Sequence, residues 1–257
     1  MNSTAASSGE SPADRDPTAL SSATVALGGY FAITARDAQE GEHLSRLTLD
    51  SPTVVRFTDR TRSAIAASVG GIPTDIPVRL AASSFQLNVV SRLLSPVIGA
   101  YVTQSRVPRF TLDTVGWRDL GGHNPEFHTT GVEYEVTPTP VAAANLISES
   151  LLDTVIAPFA DTVRSAVALS ERISWGNTIS AANGAVNVLA LSRPDLESAG
   201  RVLVQALLAT QRLRDTGMVT DMGFRRRSCC LFYQVPGGGY CQDCVLATSA
   251  GSQPNPV

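Results

Sequence analysis

Apolar residues recur at helical spacing along most of the chain. After Asp50, Ser51 and Pro52 suit an N-cap and first turn, Val54, Val55, Ile65 and Ala66 supply a buried face, and Gly70-Gly71 supply a stop. From Ala81 to Tyr101 a second stripe carries Phe85, Val89, Val90, Leu93, Leu94, Val97 and Ile98. Ser95-Pro96 falls inside it and predicts a kink or two consecutive helices. A third stripe, Leu146, Ile147, Leu151, Leu152, Val155, Ile156, Phe159, Val163 and Val167, marks a long helix with a bend expected at Pro158. A fourth starts at Pro194, places Leu196, Ala199, Val202, Leu203, Ala206, Leu207 and Leu213 on one side, and stops before Gly217. Such stripes are core faces before they are anything else.

Between Pro108 and Pro140 the period changes. Phe110, Leu112, Val115 and Trp117, a turn at Gly121-Gly122, and the alternating run Gly131–Val136 read as short strands. The expected fold class is α+β: a predominantly helical domain with a small antiparallel β element and a cysteine-rich C-terminal segment. The expected organisation is a disordered tail at residues 1–17, a scaffold and substrate domain at 18–224, and a C-terminal segment at 225–257.

The first 17 residues are small, polar and acidic, with Arg15 as their one base, unlike a signal peptide. Thr18–Ala35 is uncharged, but Ser, Thr and Gly28-Gly29 dilute it below what a membrane span requires, so a partly buried helix or strand is expected there. The reading is a cytoplasmic protein without stable membrane insertion. A formal charge of −3 over 257 residues gives no reason to expect nucleic acid as a partner. All 20 basic residues are Arg. The absence of Lys removes the P-loop lysine, Schiff-base chemistry and Ser-Lys dyads together.

All four Cys fall between Cys229 and Cys244, spaced C-C-x10-C-x2-C. The C-x2-C half is a hairpin that sets two thiolates on one metal. In the adjacent pair Cys229-Cys230, neighbouring side chains point apart in extended chain, so both reach one centre only if the backbone turns there. The spacing alone leaves an iron–sulfur cluster, structural zinc and a redox dithiol open. The three glycines of the intervening loop allow its amides to approach sulfurs, and Phe232, Tyr233 and Tyr240 are available to shield a centre from water.

The run from Arg225 to Cys244 resembles the C-terminal signature of the FhuF-type ferric-siderophore reductases, matching its cysteine spacing at Cys229, Cys230, Cys241 and Cys244. Ser174-Trp175-Gly176-Asn177 is similar to the W-G-N element that precedes a helix in that family, and Arg92-Leu93-Leu94-Ser95-Pro96 to its R-L-x-S-P helix. The resemblance implies a [2Fe–2S] cluster on the four cysteines and one-electron reduction of an Fe(III)-siderophore. A separate donor, such as a ferredoxin or flavin reductase, would resupply the electrons, because the chain carries no flavin or nicotinamide fingerprint. Given such a cluster, Arg225, Arg226 and Arg227 are candidates for favouring its reduced form and for binding an anionic ferric chelate; the alternative is a solvated basic stretch capping a helix. An electron carrier or iron sensor on the same scaffold and a zinc-stapled binding module are the competing readings. Trp175 is expected as a buried anchor with Asn177 as a cap, His123 and His128 on a surface turn, and Asp243 facing water.

Overall fold

The computed structural model describes residues 24–37, 40–220 and 223–247. The expected tail, the start of the Thr18–Ala35 stretch and the last residues of the C-terminal segment lie outside them.

A short helix α1 (Leu44–Thr48) leads into α2 (Ser51–Ser68). Asp50, one residue before the expected cap, closes the start of α2, because its carboxylate accepts the otherwise unpaired Thr53 N–H at 3.0 Å. Val54, Phe57, Thr58, Thr61 and Ala66 are buried, whereas Val55 is exposed. Gly70 stops the helix with φ 69°. Helix α3 (Val78–Gln104) runs unbroken through Pro96, so the two-helix alternative is not realised. It is apolar nearly all round and forms the centre of the domain.

Residues 140–167 are continuously helical but change register. Helix α4 (Pro140–Ile147) is capped by the Thr139 hydroxyl, which accepts Ala142 N–H at 3.1 Å, and passes into a π-helical stretch, Ser148–Ile156, before α5 (Ala157–Val167). The expected bend at Pro158 is thus replaced by a widened helix upstream of it. Proline lacks an N–H and crowds the carbonyl four residues back, and the wider turn carries the chain up to it. This run is long and apolar enough to cross a bilayer, but just over half of its most apolar window is buried inside the domain, as in a core helix.

Helix α6 (Glu171–Ser192) makes the most extensive helix–helix contact in the molecule, with α3. Its buried face is built of Gly176, Asn177, Thr178, Ala181, Ala182 and Asn183 as much as of Trp175 and Ile179. The Trp-Gly-Asn element therefore sits inside the helix and not ahead of it, and Asn177 caps nothing. Helix α7 (Glu197–Ala209) buries Gly200, Leu203, Val204 and Leu207, leaves Ala199 and Val202 exposed, and ends before Leu213.

Among the described residues, three small sheets complete the fold. The first orders its strands β2-β4-β5-β1, from β1 (Thr34–Ala35), β2 (Glu42–His43), β4 (Val115–Arg118) and β5 (Glu126–Thr129); all pairings are antiparallel except β1 with β5. Antiparallel β3 (Arg106–Pro108) and β6 (Tyr134–Val136) form the second, and the hairpin β7 (Gly217–Thr220)–β8 (Gly223–Arg226) forms the third. The first sheet closes on the helices through an aromatic cluster: Phe57 stacks on Phe85 at 5.5 Å, with Trp117 and Phe159 edge-on.

His128, expected on a surface turn, is instead 1% exposed on β5, opposite Gly116 of β4, and its Nδ1 has no partner; His123 is exposed. A Cβ at Gly116 would lie 2.3 Å from His128 Nε2, so only glycine fits across the pair. Burial, reinforced by Arg36 and Arg118 against the opposing pull of Glu126 and Glu40, holds the imidazole below its ordinary pKa. Because the folded value is depressed, the stability it contributes is present above its unfolded value of roughly 6.5 and is lost as pH falls through the folded one. Thermal unfolding between roughly pH 6.5 and pH 5 should show this loss in the native protein and a flatter profile in His128→Asn. Gly116→Ala should cost about 1–3 kcal/mol at neutral pH, read from denaturant midpoints.

Candidate metal centre

The β7–β8 hairpin delivers the cysteine segment to the middle of α6. Gly217 pairs with Arg226 at the end of β8, after which Ser228, Cys229 and Cys230 follow in irregular chain. Leu231 then takes a left-handed conformation (φ 71°), placing a sharp turn directly after the adjacent cysteines. A single turn, Phe232–Gln234, and two left-handed glycines, Gly237 and Gly239, return the chain to Cys241. The middle of this loop is anchored: Val235 is buried against Ala66, Ile76, Leu80 and Ala81, with Leu231 and Phe232 packed beside it. Tyr233 and Tyr240 are exposed.

All four thiols are free of disulfides. The Sγ atoms of Cys230 and Cys241 are 3.4 Å apart and share a hydrogen bond. Leu231 N–H donates to Cys229 Sγ and Leu246 N–H to Cys244 Sγ, each at 3.3 Å, and Phe232 N–H serves Cys230. The amides that reach sulfur thus come from the second residue after a cysteine and not from the glycines. Cys230 and Cys244 are buried while Cys229 and Cys241 are partly open, so the group has one edge toward solvent. Among the described residues, no three or more His, Cys, Asp or Glu side chains converge on a single-ion position. The bond from Cys241 pulls the Cys230 thiol down, helped by Arg226, and pushes Cys241 up; burial raises Cys229.

Arg226 is the residue on which the site turns. It is 1% exposed, and its Nη2 donates to Asn177 Oδ1 at 2.6 Å. Asn177 is held in turn by donating to Ser83 and to Gln86 Oε1 on α3, the latter at 2.8 Å. No carboxylate lies within ion-pair distance of Arg226 among the described residues, and its Nε has no partner. The hydroxyls of Ser228 and Ser174 also lack partners. A buried guanidinium whose only side-chain partner is neutral costs several kcal/mol unless anions lie beside it. The sulfurs and, farther off, the buried Asp243 carboxylate are those anions: the charge of Arg226 favours the ionised form of Cys229, Cys230, Cys241 and Asp243 alike. The donor set therefore fits an anionic, thiolate-ligated group.

The other two arginines part company with it. Arg225 Nη1 donates to the Ala247 carbonyl at 2.8 Å, and Arg227 pairs with Asp215 at 3.0 Å on the surface. All three belong to β8 or the residue after it, so none caps a helix. Asp243, expected in water, is 8% exposed: it accepts from Ser180 and Asn183 while its carbonyl accepts Arg226 N–H, and burial raises its pKa. It pins the second cysteine pair to α6.

The tie between Asn177 and Arg226, and the role of Asp243, were not evident from sequence. The available signal was a polar Asn beside a Gly within a run otherwise suited to a buried helix. That glycine is required by contact, since a Cβ at Gly176 would lie 2.0 Å from Ser228 Oγ and 3.1 Å from Arg226 Nη2.

Residues 226–246 match the family model of the FhuF 2Fe-2S C-terminal domain, a span that includes Cys229, Cys230, Cys241 and Cys244. The matched domain is a [2Fe–2S] one, which supports a [2Fe–2S] cluster as the cofactor held here. No curated protein matches the chain.

Gly176→Ala is expected to push β8 and Ser228 off α6, costing about 1–3 kcal/mol and lowering the iron content of the purified protein. Asn177→Leu should cost more, about 3–5 kcal/mol, because it strips a buried charge of its side-chain partner. Denaturant midpoints and iron-to-protein ratios measured side by side check both.

Proposed function

We propose that the protein is a ferric-siderophore reductase of the cytoplasm, with a [2Fe–2S] cluster ligated by Cys229, Cys230, Cys241 and Cys244. The observation that carries this reading is the buried Arg226, with no carboxylate at ion-pair distance among the described residues and its charge acting on Cys229, Cys230 and Cys241, inside the matched segment. When bound, the cluster supplies a one-electron couple, giving one electron to the Fe(III) of the chelate, which becomes Fe(II), and recovering one from a donor such as a ferredoxin or flavin reductase. Hard oxygen donors hold Fe(II) far more weakly than Fe(III), so reduction is itself the release step.

The chain's own residues suit that couple. Arg226 supplies a fixed positive charge where reduction adds a negative one, and the amides of Leu231, Phe232 and Leu246 direct partial positive charge at the same sulfurs. The partly open Cys229 and Cys241 provide the edge through which electrons enter and leave. A carrier or sensor would have the same sulfur geometry. The reductase reading is favoured because a large helical domain presents an open cleft beside Ser228, next to the first cysteine, which a simple carrier does not need.

Chemically reduced protein mixed with a ferric siderophore should recover its oxidised visible absorbance while a ferrous chelator captures one Fe(II) per electron. Failure to react with any class of ferric chelate would leave the carrier or sensor reading, and a colourless protein with stoichiometric zinc from an anaerobic preparation would exclude both. Arg226→Gln should lower the midpoint potential by roughly 40–90 mV, the equivalent of about 1–2 kcal/mol for one electron, and Arg226→Lys should restore part of it. Redox titration followed by electron paramagnetic resonance reads this independently of turnover.

A further inference from the structure

Two cavities flank the cysteine segment, and they differ in charge. One, of about 330 Å³, lies by Gln242 and Asp243, and its only cation, Arg201, is fully engaged by Glu197, Asn183 and Asn187. The other, an open cleft of about 360 Å³, lies between the first turns of α6, the turn after α7 and Ser228. Its lining brings together Arg172, Arg212, Arg214 and Arg227 against the two acids Glu171 and Asp215. Arg227 is neutralised by Asp215, and Arg212 pairs with Asp153 while its guanidinium lies 5.5 Å from the centre of the Trp175 ring. The guanidinium groups of Arg172 and Arg214 have no hydrogen-bond or ion-pair partner among the described residues, although the Arg214 backbone N–H donates to the Thr210 carbonyl. The first turn of α6 lines the same space; its N-cap Ser170 makes no side-chain hydrogen bond, and while the Ile173 and Ser174 amides donate to the Ser170 carbonyl, the amides of Glu171 and Arg172 are left to an anion.

We infer that this cleft is the substrate seat and that it selects ferric chelates of net negative charge. The inference rests on the reductase reading and adds the charge class of its substrate and the place where it binds. Ser228 forms part of the wall and is followed directly by Cys229, so a chelate seated there lies beside the partly open edge of the sulfur group. The unpaired guanidinium groups of Arg172 and Arg214 supply charge-assisted donors, and the Trp175–Arg212 stack offers a flat polarisable base for an aromatic or carboxylate arm. Of the three arginines adjoining the cysteines, only Arg227 lines this cleft.

Gallium(III) complexes test this without electron transfer, since Ga(III) has the charge and nearly the radius of Fe(III) and is redox-inert. A Ga(III) tris-catecholate, net anionic, and a Ga(III) trihydroxamate bearing an ammonium group, net cationic, are titrated calorimetrically into the full-length oxidised protein and into Arg172→Gln/Arg214→Gln. The anionic complex should bind the native protein at least tenfold tighter than the cationic one, and the double variant should lose roughly tenfold in affinity for it, or 1.4 kcal/mol. Equal binding of both complexes, or native-like affinity in the double variant, overturns the assignment. Loss in the double variant of reduction by an acidic ferredoxin, with chelate affinity intact, overturns it in favour of donor docking. Reduced native protein mixed with the two Fe(III) complexes separates the levels: if it reduces either complex, a negative binding result removes the cleft alone, whereas no reaction with any ferric chelate removes the reductase reading and the cleft with it.

Discussion

A guanidinium with no carboxylate at ion-pair distance among the described residues, sealed between a helix and a loop, governs the arrangement of this molecule. Arg226 reaches Asn177, Asn177 reaches Ser83 and Gln86, and α6 is thereby tied to α3 at the point where the cysteine segment lands. The tie requires close approach, which explains why residue 176 has no side chain and why the buried face of α6 is small and polar. Much of the scaffold can be understood as the means of holding one positive charge out of water, where thiolates can compensate it.

That requirement divides work among three neighbouring arginines that look alike in sequence. Arg226 turns inward, Arg225 fastens the chain beyond the last cysteine through the Ala247 carbonyl, and Arg227 faces the cleft. The opposite directions of Arg225 and Arg226 follow from strand geometry, since successive side chains on β8 point to opposite faces, and Arg227 lies just past the strand end. Asp243 does for the second cysteine pair what Arg226 does for the first, joining it to α6 through Ser180 and Asn183.

The parts of the structure that could be read from sequence were those written in large apolar residues. Helices α2, α3 and α7 and the Pro140–Val167 run follow from Val, Leu, Ile and Phe at helical intervals, and the β element from alternation around Trp117 and Tyr134. Helix α6 is expected only through the resemblance, and then as starting after Asn177, because Ala, Asn, Thr and Gly form its buried face and no apolar stripe marks it. Among local rules, two candidate caps stood side by side and Asp50, not Ser51, took the role; where tertiary contact decided, His128 went inside because Gly41 and Gly116 leave room for a ring, and Asp243 found two donors that no spacing could reveal. At the site, the cysteine spacing pointed to the four thiols proposed as ligands, while the charge beside them is held by a contact between residues 49 positions apart in the chain.

The small apolar anchor under the loop has a consequence for how the protein acquires its iron. Val235, Leu231 and Phe232 rest on the ends of α2 and α3 through contacts that involve no sulfur, so what holds the middle of the connecting loop does not depend on the metal. The two cysteine pairs then behave as short arms on either side of a fixed point, and only a few residues on each side remain to be ordered. The entropic cost of loading is correspondingly smaller than for a free segment, and the opening through which iron enters is set in advance.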